Sequence, residues 1–220
     1  MFSWVSKFDL FLFDFDGLLV STERLHYKAY IAAFKKMGFD LDWSFEKFTK
    51  LAHLHSNAFR AALYSQFPAL HPEWEVTHAI KREEYIKLIE EGDVDLMPGV
   101  NDLLFELQKK NIRRCVATHS PKAQVELVKK RHLCLQTIPL WITREDYQNP
   151  KPSSDCYLQA IEKMGKKGDQ MVGFEDSLRG YRALQGAPCL PVLICLNKDV
   201  PEVLQNEAIH FETFNDVQFS

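Results

Sequence analysis

The 220-residue chain has five cysteines, an odd number, and no C-x-x-C pair. That usage argues against a disulfide framework and is expected of reduced thiols in a cytosolic protein. A basic excess is also missing: 27 lysines and arginines face 30 aspartates and glutamates, for a net charge of −3. Neither nucleic acid nor an anionic membrane surface is an expected partner. The opening MFSWVSKFDLFLF lacks a cationic lead and meets Asp9 early. It is expected to be neither a signal peptide nor a membrane span, and the protein is expected in the cytoplasm. No internal repeat and no low-complexity stretch is present. What is there is ordinary for a globular protein, 46% hydrophobic and 26% charged, and argues against disorder. The length suits one core, or a core with a smaller domain inserted.

Residues 11 to 20 read FLFDFDGLLV. Leu10 to Phe15 has the continuous apolar character of a strand buried on both faces. It ends in Asp14 and Asp16, then Gly17, although Asp and Gly are depleted in strands. Two positions apart on a strand, both carboxylates would point the same way. A helix is expected from about Thr22, with Tyr30, Ala33, Phe34 and Met37 on one stripe and Gly38 as its stop. Residues 44 to 91 stay helical in character, broken at Pro68 and Pro72, and carry no strand. The aromatics Phe39, Trp43, Phe45 and Phe48 are read as the core of that helical part.

The texture changes at Met97-Pro98-Gly99. A helical stripe of Val100, Leu103, Leu104 and Leu107 precedes the short strand Cys115 to Thr118. Ser120-Pro121 reads as an N-cap and an N1 proline, opening a helix to about Arg131. Its Lys129-Lys130-Arg131 run is a solvated helix end. Strands are expected at 138–142, 171–174 and 190–195, with helices at 155–164 and 177–185 between them. Alternation of this kind gives an α/β fold, a Rossmann-like doubly wound parallel sheet. Cys115 and Cys195 fall in buried strands and are expected to be inert. The insert after the first strand, residues 22–92, is an all-helical cap domain; residues 1–21 and 93–220 form the α/β core. Such an insert would sit above the carboxyl ends of the strands, where open α/β sheets bind ligands, and a lid there excludes water and selects substrate.

Four motifs fall at strand ends or strand-to-helix turns: DFDG at residues 14–17, ATHS with Thr118, NPKPSSD with Lys151, and GFEDS with Glu175 and Asp176. Singly, each has a plain reading as turn, strand end, solvated loop or helix start. In this order, with a helical insert in this gap, they resemble the haloacid dehalogenase superfamily over essentially the whole chain. The similarity is strongest to its helical-cap branch, the β-phosphoglucomutase-like and phosphoglycolate-phosphatase-like enzymes. The resemblance implies a magnesium-dependent phosphatase acting on a small phosphomonoester such as a sugar phosphate or nucleotide. Asp14 would be the nucleophile and form an aspartyl-phosphate. Asp16 would act as acid and base. Lys151, the Thr118 hydroxyl and the His119 backbone N–H would bind the phosphate. Mg2+ would take oxygen ligands from Asp14, the Asp16 carbonyl and the Glu175/Asp176 pair.

Some positions depart from the family pattern. Ser21 stands where an aspartate is common, and Ser154 where a proline is common. In the mutase branch a lysine-glycine pair and an arginine open the cap; here Leu51, Ala52 and His55 stand at or near those places, with Lys50 and Arg60 offset. A mutase must hold a second phosphate, for which arginine is the natural clamp, so the phosphatase reading is favoured over a phosphomutase. A dehalogenase needs neither a metal nor the second aspartate, and a non-catalytic binding protein would not need the full set. His26 and His55 are candidate substrate contacts. The His53-x-His55 pair is expected in exposed or capping roles rather than as a metal site, since i and i+2 do not share a helix face. The particular substrate and the oligomeric state are not expressed in the sequence.

Overall fold

The computed structural model describes residues 2–54, 56–92 and 94–219, with the backbone alone for 53, 54, 56, 57 and 71–73. The chain divides into two compact units, one of residues 1–21 and 95–220 and one of residues 22–94.

The larger unit is built on six parallel strands: β1 (Leu10–Phe13), β2 (Arg113–Ala117), β3 (Leu140–Ile142), β4 (Met171–Glu175), β5 (Leu190–Ile194) and β6 (Ile209–Phe211). Their order in the sheet is β3-β2-β1-β4-β5-β6. This is the doubly wound order, with β1 at the switch point flanked by β2 and β4. The strand β6 lies beyond the last one expected. Its three residues are half-buried or exposed at the sheet edge, too short and too wet for an apolar run to announce them.

Alternation along β1 divides the core. Leu10 and Leu12 join Cys115, Ala117, Cys156, Tyr157 and Leu184 in one cluster. Phe11 and Phe13 turn to the opposite face and stack on Phe174 at 6.1 and 5.6 Å. The first face is covered by the helices Asp155–Met164 and Leu178–Gln185. Each phenylalanine fully buried this way contributes about 1.5–3 kcal/mol. One expected helix begins later than the sequence suggests. It spans Lys122–Lys129, because Pro121 has ψ 145°, extended rather than helical. Pro121, not Ser120, therefore occupies the cap position, which leaves the Ser120 hydroxyl free for another partner.

The chain leaves and re-enters this unit through a short antiparallel pairing. Val20 bridges Leu96, and Ser21 N–H donates to the Asp95 carbonyl at 2.8 Å. The second unit is helical, with Glu23–Lys36, Phe45–Leu54, Ser56–Gln66 and Trp74–Glu91 as its α-helices. Gly38, at φ +81°, ends the first of these where a left-handed residue is needed. Tyr30, Phe34, Trp43, Phe48, Phe59 and Leu63 form its core, with Leu51 and Ala52 packed against them. Among the described residues no helix is long and apolar enough to cross a membrane.

Candidate active site

Strand register assembles the site. Leu12 pairs with both Cys115 and Gly173. Two residues on, the same face of the sheet presents Asp14 between Ala117 and Glu175 at the ends of three adjacent strands. The ladder continues one step past β1, as Asp14 N–H donates to the Phe174 carbonyl at 3.0 Å. Asp14, Lys151 and Glu175 are all buried, at 8%, 7% and 1% exposure. Such burial of charge is tolerated only where the groups pair.

Lys151 is the hub of the pairing. Its ammonium donates to Asp14 Oδ1, to Glu175 Oε1 at 2.6 Å, to the Ala117 carbonyl at 2.9 Å and to the Tyr157 hydroxyl at 3.0 Å. Tyr157 in turn donates to Glu175 Oε1 at 2.6 Å. The loop carrying Lys151 is braced by Asp155, which accepts from the Asn149 backbone and side-chain amides at 3.0 and 2.9 Å and from Ser153. Two carboxylates share one cation. Burial pushes the pKa of Asp14 up to about 7, the Glu175 charge adds to this, and Lys151 opposes it. The other oxygen of Asp14 meets no hydrogen-bond donor among the described residues.

Strand parity does not extend to Asp16. β1 stops at Phe13, and the backbone then closes a tight turn in which Gly17 N–H donates to the Val20 carbonyl at 2.9 Å. The Asp16 carboxylate accepts from Ser120 Oγ at 2.6 Å and, more weakly, from Thr118 Oγ1 at 3.4 Å. The two aspartates thus have separate partners: an ammonium for Asp14, hydroxyls for Asp16. The Thr118 hydroxyl also accepts the Ser120 amide at 3.0 Å. His119 places Nδ1 3.1 Å from the Tyr147 hydroxyl in a part-buried contact. Desolvation of its ring, then Arg179 and Arg144, lower its pKa below the usual imidazole value. Its backbone N–H has no acceptor among the described residues.

Asp14, Glu175 and Asp176 each offer a carboxylate oxygen within 4.8 Å of the others. All-oxygen ligation with room for water suits a hard dication such as Mg2+, so the residues present fit that ion. Gly17 makes the cluster sterically possible. A Cβ on Gly17 would lie 2.1 Å from Asp176 Oδ2, and its φ of +82° is left-handed. Gly17→Ala therefore combines backbone strain of about 1–2 kcal/mol with displacement of Asp176. We expect kcat to fall about 100-fold, since small misplacements at a reacting centre carry costs of that order; steady-state kinetics at saturating Mg2+ checks this, and an unchanged kcat would refute it.

A family model described as haloacid dehalogenase-like hydrolase matches residues 8–188. The chain belongs to the haloacid dehalogenase-like hydrolases. It is an enzyme of that family, a phosphohydrolase. CbbY of Cereibacter sphaeroides is 32% identical to it over 183 residues, covering 80% of this chain and 79% of that protein. The crystal structure of CbbY from Rhodobacter sphaeroides with bound phosphate has a TM-score of 0.78 at 27% identity, covering 95% and 94% of the two chains. A CbbY mutant in complex with xylulose-1,5-bisphosphate gives a TM-score of 0.77 at 26% identity, covering 94% and 95%. A phosphorylated carbohydrates phosphatase of Thermotoga maritima is 26% identical over 187 residues, covering 80% of each chain.

Of the residues singled out from the sequence, this hydrolase brings Asp14, Lys151, Glu175 and Asp176 into one cluster. Asp16 and Thr118 meet through their side chains, with His119 next in the chain. His26 lies in the helical unit, its Nδ1 2.8 Å from the buried Lys81 ammonium and its ring stacked on Tyr85 at 4.2 Å. His55 lies outside the described residues. Sequence reasoning missed Ser120, which was read as a helix cap although it belongs to ATHS. It also missed Tyr157, whose signal was a hydroxyl-bearing residue on the apolar stripe of the helix just after Lys151.

Proposed function

We propose that this protein is a magnesium-dependent phosphatase of small phosphomonoesters, with phosphorylated sugars the foremost class, working through an aspartyl-phosphate at Asp14. The observation that carries this reading is the asymmetric engagement of Asp14. Lys151 takes one carboxylate oxygen, and the other meets no donor among the described residues, at the end of a buried strand. That second oxygen would attack phosphorus while the bond to the leaving alcohol breaks. Asp16, held by Ser120 and Thr118, would give its proton to the leaving oxygen. It would then take one from the water that attacks phosphorus and frees Asp14. Lys151, the Thr118 hydroxyl and the His119 N–H would bind the phosphoryl oxygens. Asp14, Asp176 and the Asp16 carbonyl, with Glu175 beside them, would hold Mg2+. When bound, the ion supplies charge neutralisation for the phosphoryl group.

The helical unit would serve as the cap that excludes water and selects the substrate, with His26 and His55 as candidate contacts. Phosphatase is favoured over mutase because Leu51 and Ala52, at the places where the mutase branch carries lysine and glycine, pack into the apolar core of that unit. The five cysteines are free thiols, which agrees with a reducing compartment such as the cytoplasm. The CbbY mutant in complex with xylulose-1,5-bisphosphate and the relative named as a phosphorylated carbohydrates phosphatase support the substrate class.

The test is phosphate release from a panel of phosphomonoesters with Mg2+ and with EDTA. We expect turnover on sugar phosphates, a fall of about 100-fold or more in EDTA, and recovery when Mg2+ is restored. Release that is indifferent to the chelator would sink the metal assignment. No release from any panel member would sink the phosphatase reading.

A further inference from the structure

The proposed chemistry does not use Tyr157, yet the residue is completely buried with its hydroxyl inside the charge cluster. Its ring lies beneath the Lys151 ammonium, 4.8 Å from Nζ to the centroid. The helix Asp155–Met164 delivers it from the same face of the sheet as Asp14 and Glu175. Around it, Glu175 is boxed in. A Cβ on Gly180 would come within 1.9 Å of the Glu175 carboxylate, so that carboxylate has no room to swing towards the helix behind it.

Two buried carboxylates compete for one ammonium. Glu175 Oε1 receives two donors, Lys151 Nζ and the Tyr157 O–H, each at 2.6 Å. Asp14 Oδ1 receives Lys151. The phenol donates to Glu175 and accepts from Lys151 at 3.0 Å, so it meets part of Glu175's demand and takes up one N–H of the cation. Removing it leaves Glu175 to satisfy itself from Lys151 alone, and an under-bonded buried carboxylate is costly. The ammonium, with one N–H released, would be drawn towards Glu175 and away from Asp14.

We propose that Tyr157 is a positioning residue of the reaction: its hydroxyl offsets the pull of Glu175 on Lys151 and so keeps the ammonium on Asp14. The kinetic part of this inference rests on the phosphatase reading; the placement of Lys151 does not. The decisive variant is Tyr157→Phe, which removes one atom and keeps the ring. We expect kcat to fall about tenfold, the scale of one hydrogen bond to a charged group, with KM within about twofold because substrate binding is not the function lost. The control is Ala160→Gly, one turn along the same helix and buried in the same cluster. It should lower the melting temperature, as glycine does inside a helix, and leave kcat unchanged.

A crystal structure of Tyr157→Phe supplies a readout independent of turnover, with Lys151 Nζ expected to lie farther from Asp14 Oδ1 than from Glu175. An unmoved Lys151, an unchanged kcat, a KM that rises in step with the loss, or an equal loss of kcat in Ala160→Gly would each overturn the proposal. Should the wild type release no phosphate from any ester, the phosphatase reading fails, and the position of Lys151 in the variant still decides the positioning role.

Discussion

Asp14→Asn should abolish phosphate release and yet raise the melting temperature. Loss of a covalent nucleophile is expected to cost kcat about 10,000-fold or more. Stability moves the other way because of what the buried carboxylate does to the fold. Burial and Glu175 raise the folded-state pKa of Asp14 to about 7, against 3.8 for an ordinary aspartate. A carboxyl whose pKa is raised on folding supports the folded state most fully below its unfolded value. That support is lost as pH rises through the folded value. The wild type, kept in EDTA, should therefore lose stability between about pH 4 and pH 7 through this group. Asn, which does not titrate, should not. The difference in melting temperature between Asp14→Asn and wild type should grow across that window and level off above it. A variant that melts lower than wild type at pH 8 would contradict this balance, and one that keeps full, metal-dependent turnover would remove Asp14 from the chemistry.

Cutting the same ion pair from its other end should have the opposite effect on stability. Lys151→Met keeps the unbranched apolar stem of the side chain and removes the ammonium shared by Asp14 and Glu175. Two buried carboxylates are then left facing each other. Breaking a buried pair from one side costs about 3–5 kcal/mol, and here one cation serves two anions. Activity should fall about 100- to 1,000-fold as well, the scale seen when a fixed donor to a developing charge is removed. The stability loss should shrink at acid pH, where Asp14, with its pKa raised by burial, protonates and no longer needs the cation. Thermal melts of this variant at pH 5 and pH 8 test the argument: a loss of equal size at both would show that packing, not charge, dominates. Together the two substitutions separate the contributions of anion and cation within one interaction. The anion is kept at a cost to stability because the reaction needs it, and the cation makes that cost tolerable.

Much of this site was legible in the chain because it sits where strands end. A continuous apolar run that stops in a carboxylate points to the carboxyl edge of a buried sheet, and the order of DFDG, ATHS, NPKPSSD and GFEDS follows the doubly wound topology. Legibility failed where the partner is remote or the backbone leaves its regular form. Nothing local to Lys151 says that its ammonium reaches Asp14, 137 residues away. Strand parity suggested that Asp14 and Asp16 act side by side, but β1 ends at Phe13, and the turn through Gly17 hands Asp16 to the hydroxyls after β2. Ser120 looked like a cap because it precedes a proline. The extended ψ of Pro121 moved the cap by one residue and released that hydroxyl to Asp16. Tyr157 was hidden for a different reason. Its ring satisfies the apolar stripe of its helix as phenylalanine would, so periodicity alone gives no sign that the hydroxyl is engaged. The edge strand β6 was too short to read.

The central claim is a covalent phosphoryl group on Asp14, and it can be tested by trapping. Enzyme mixed with a turned-over sugar phosphate and Mg2+ would be quenched and treated with borohydride, which reduces an acyl phosphate to an alcohol. Peptide mass spectrometry would then locate the change. Conversion of residue 14 to homoserine in the wild type, and no conversion anywhere in Asp14→Asn, is the predicted result. Homoserine at another aspartate would contradict the account, and so would rapid turnover whose quenched enzyme carries no reducible acyl phosphate under conditions that trap one in a related phosphatase.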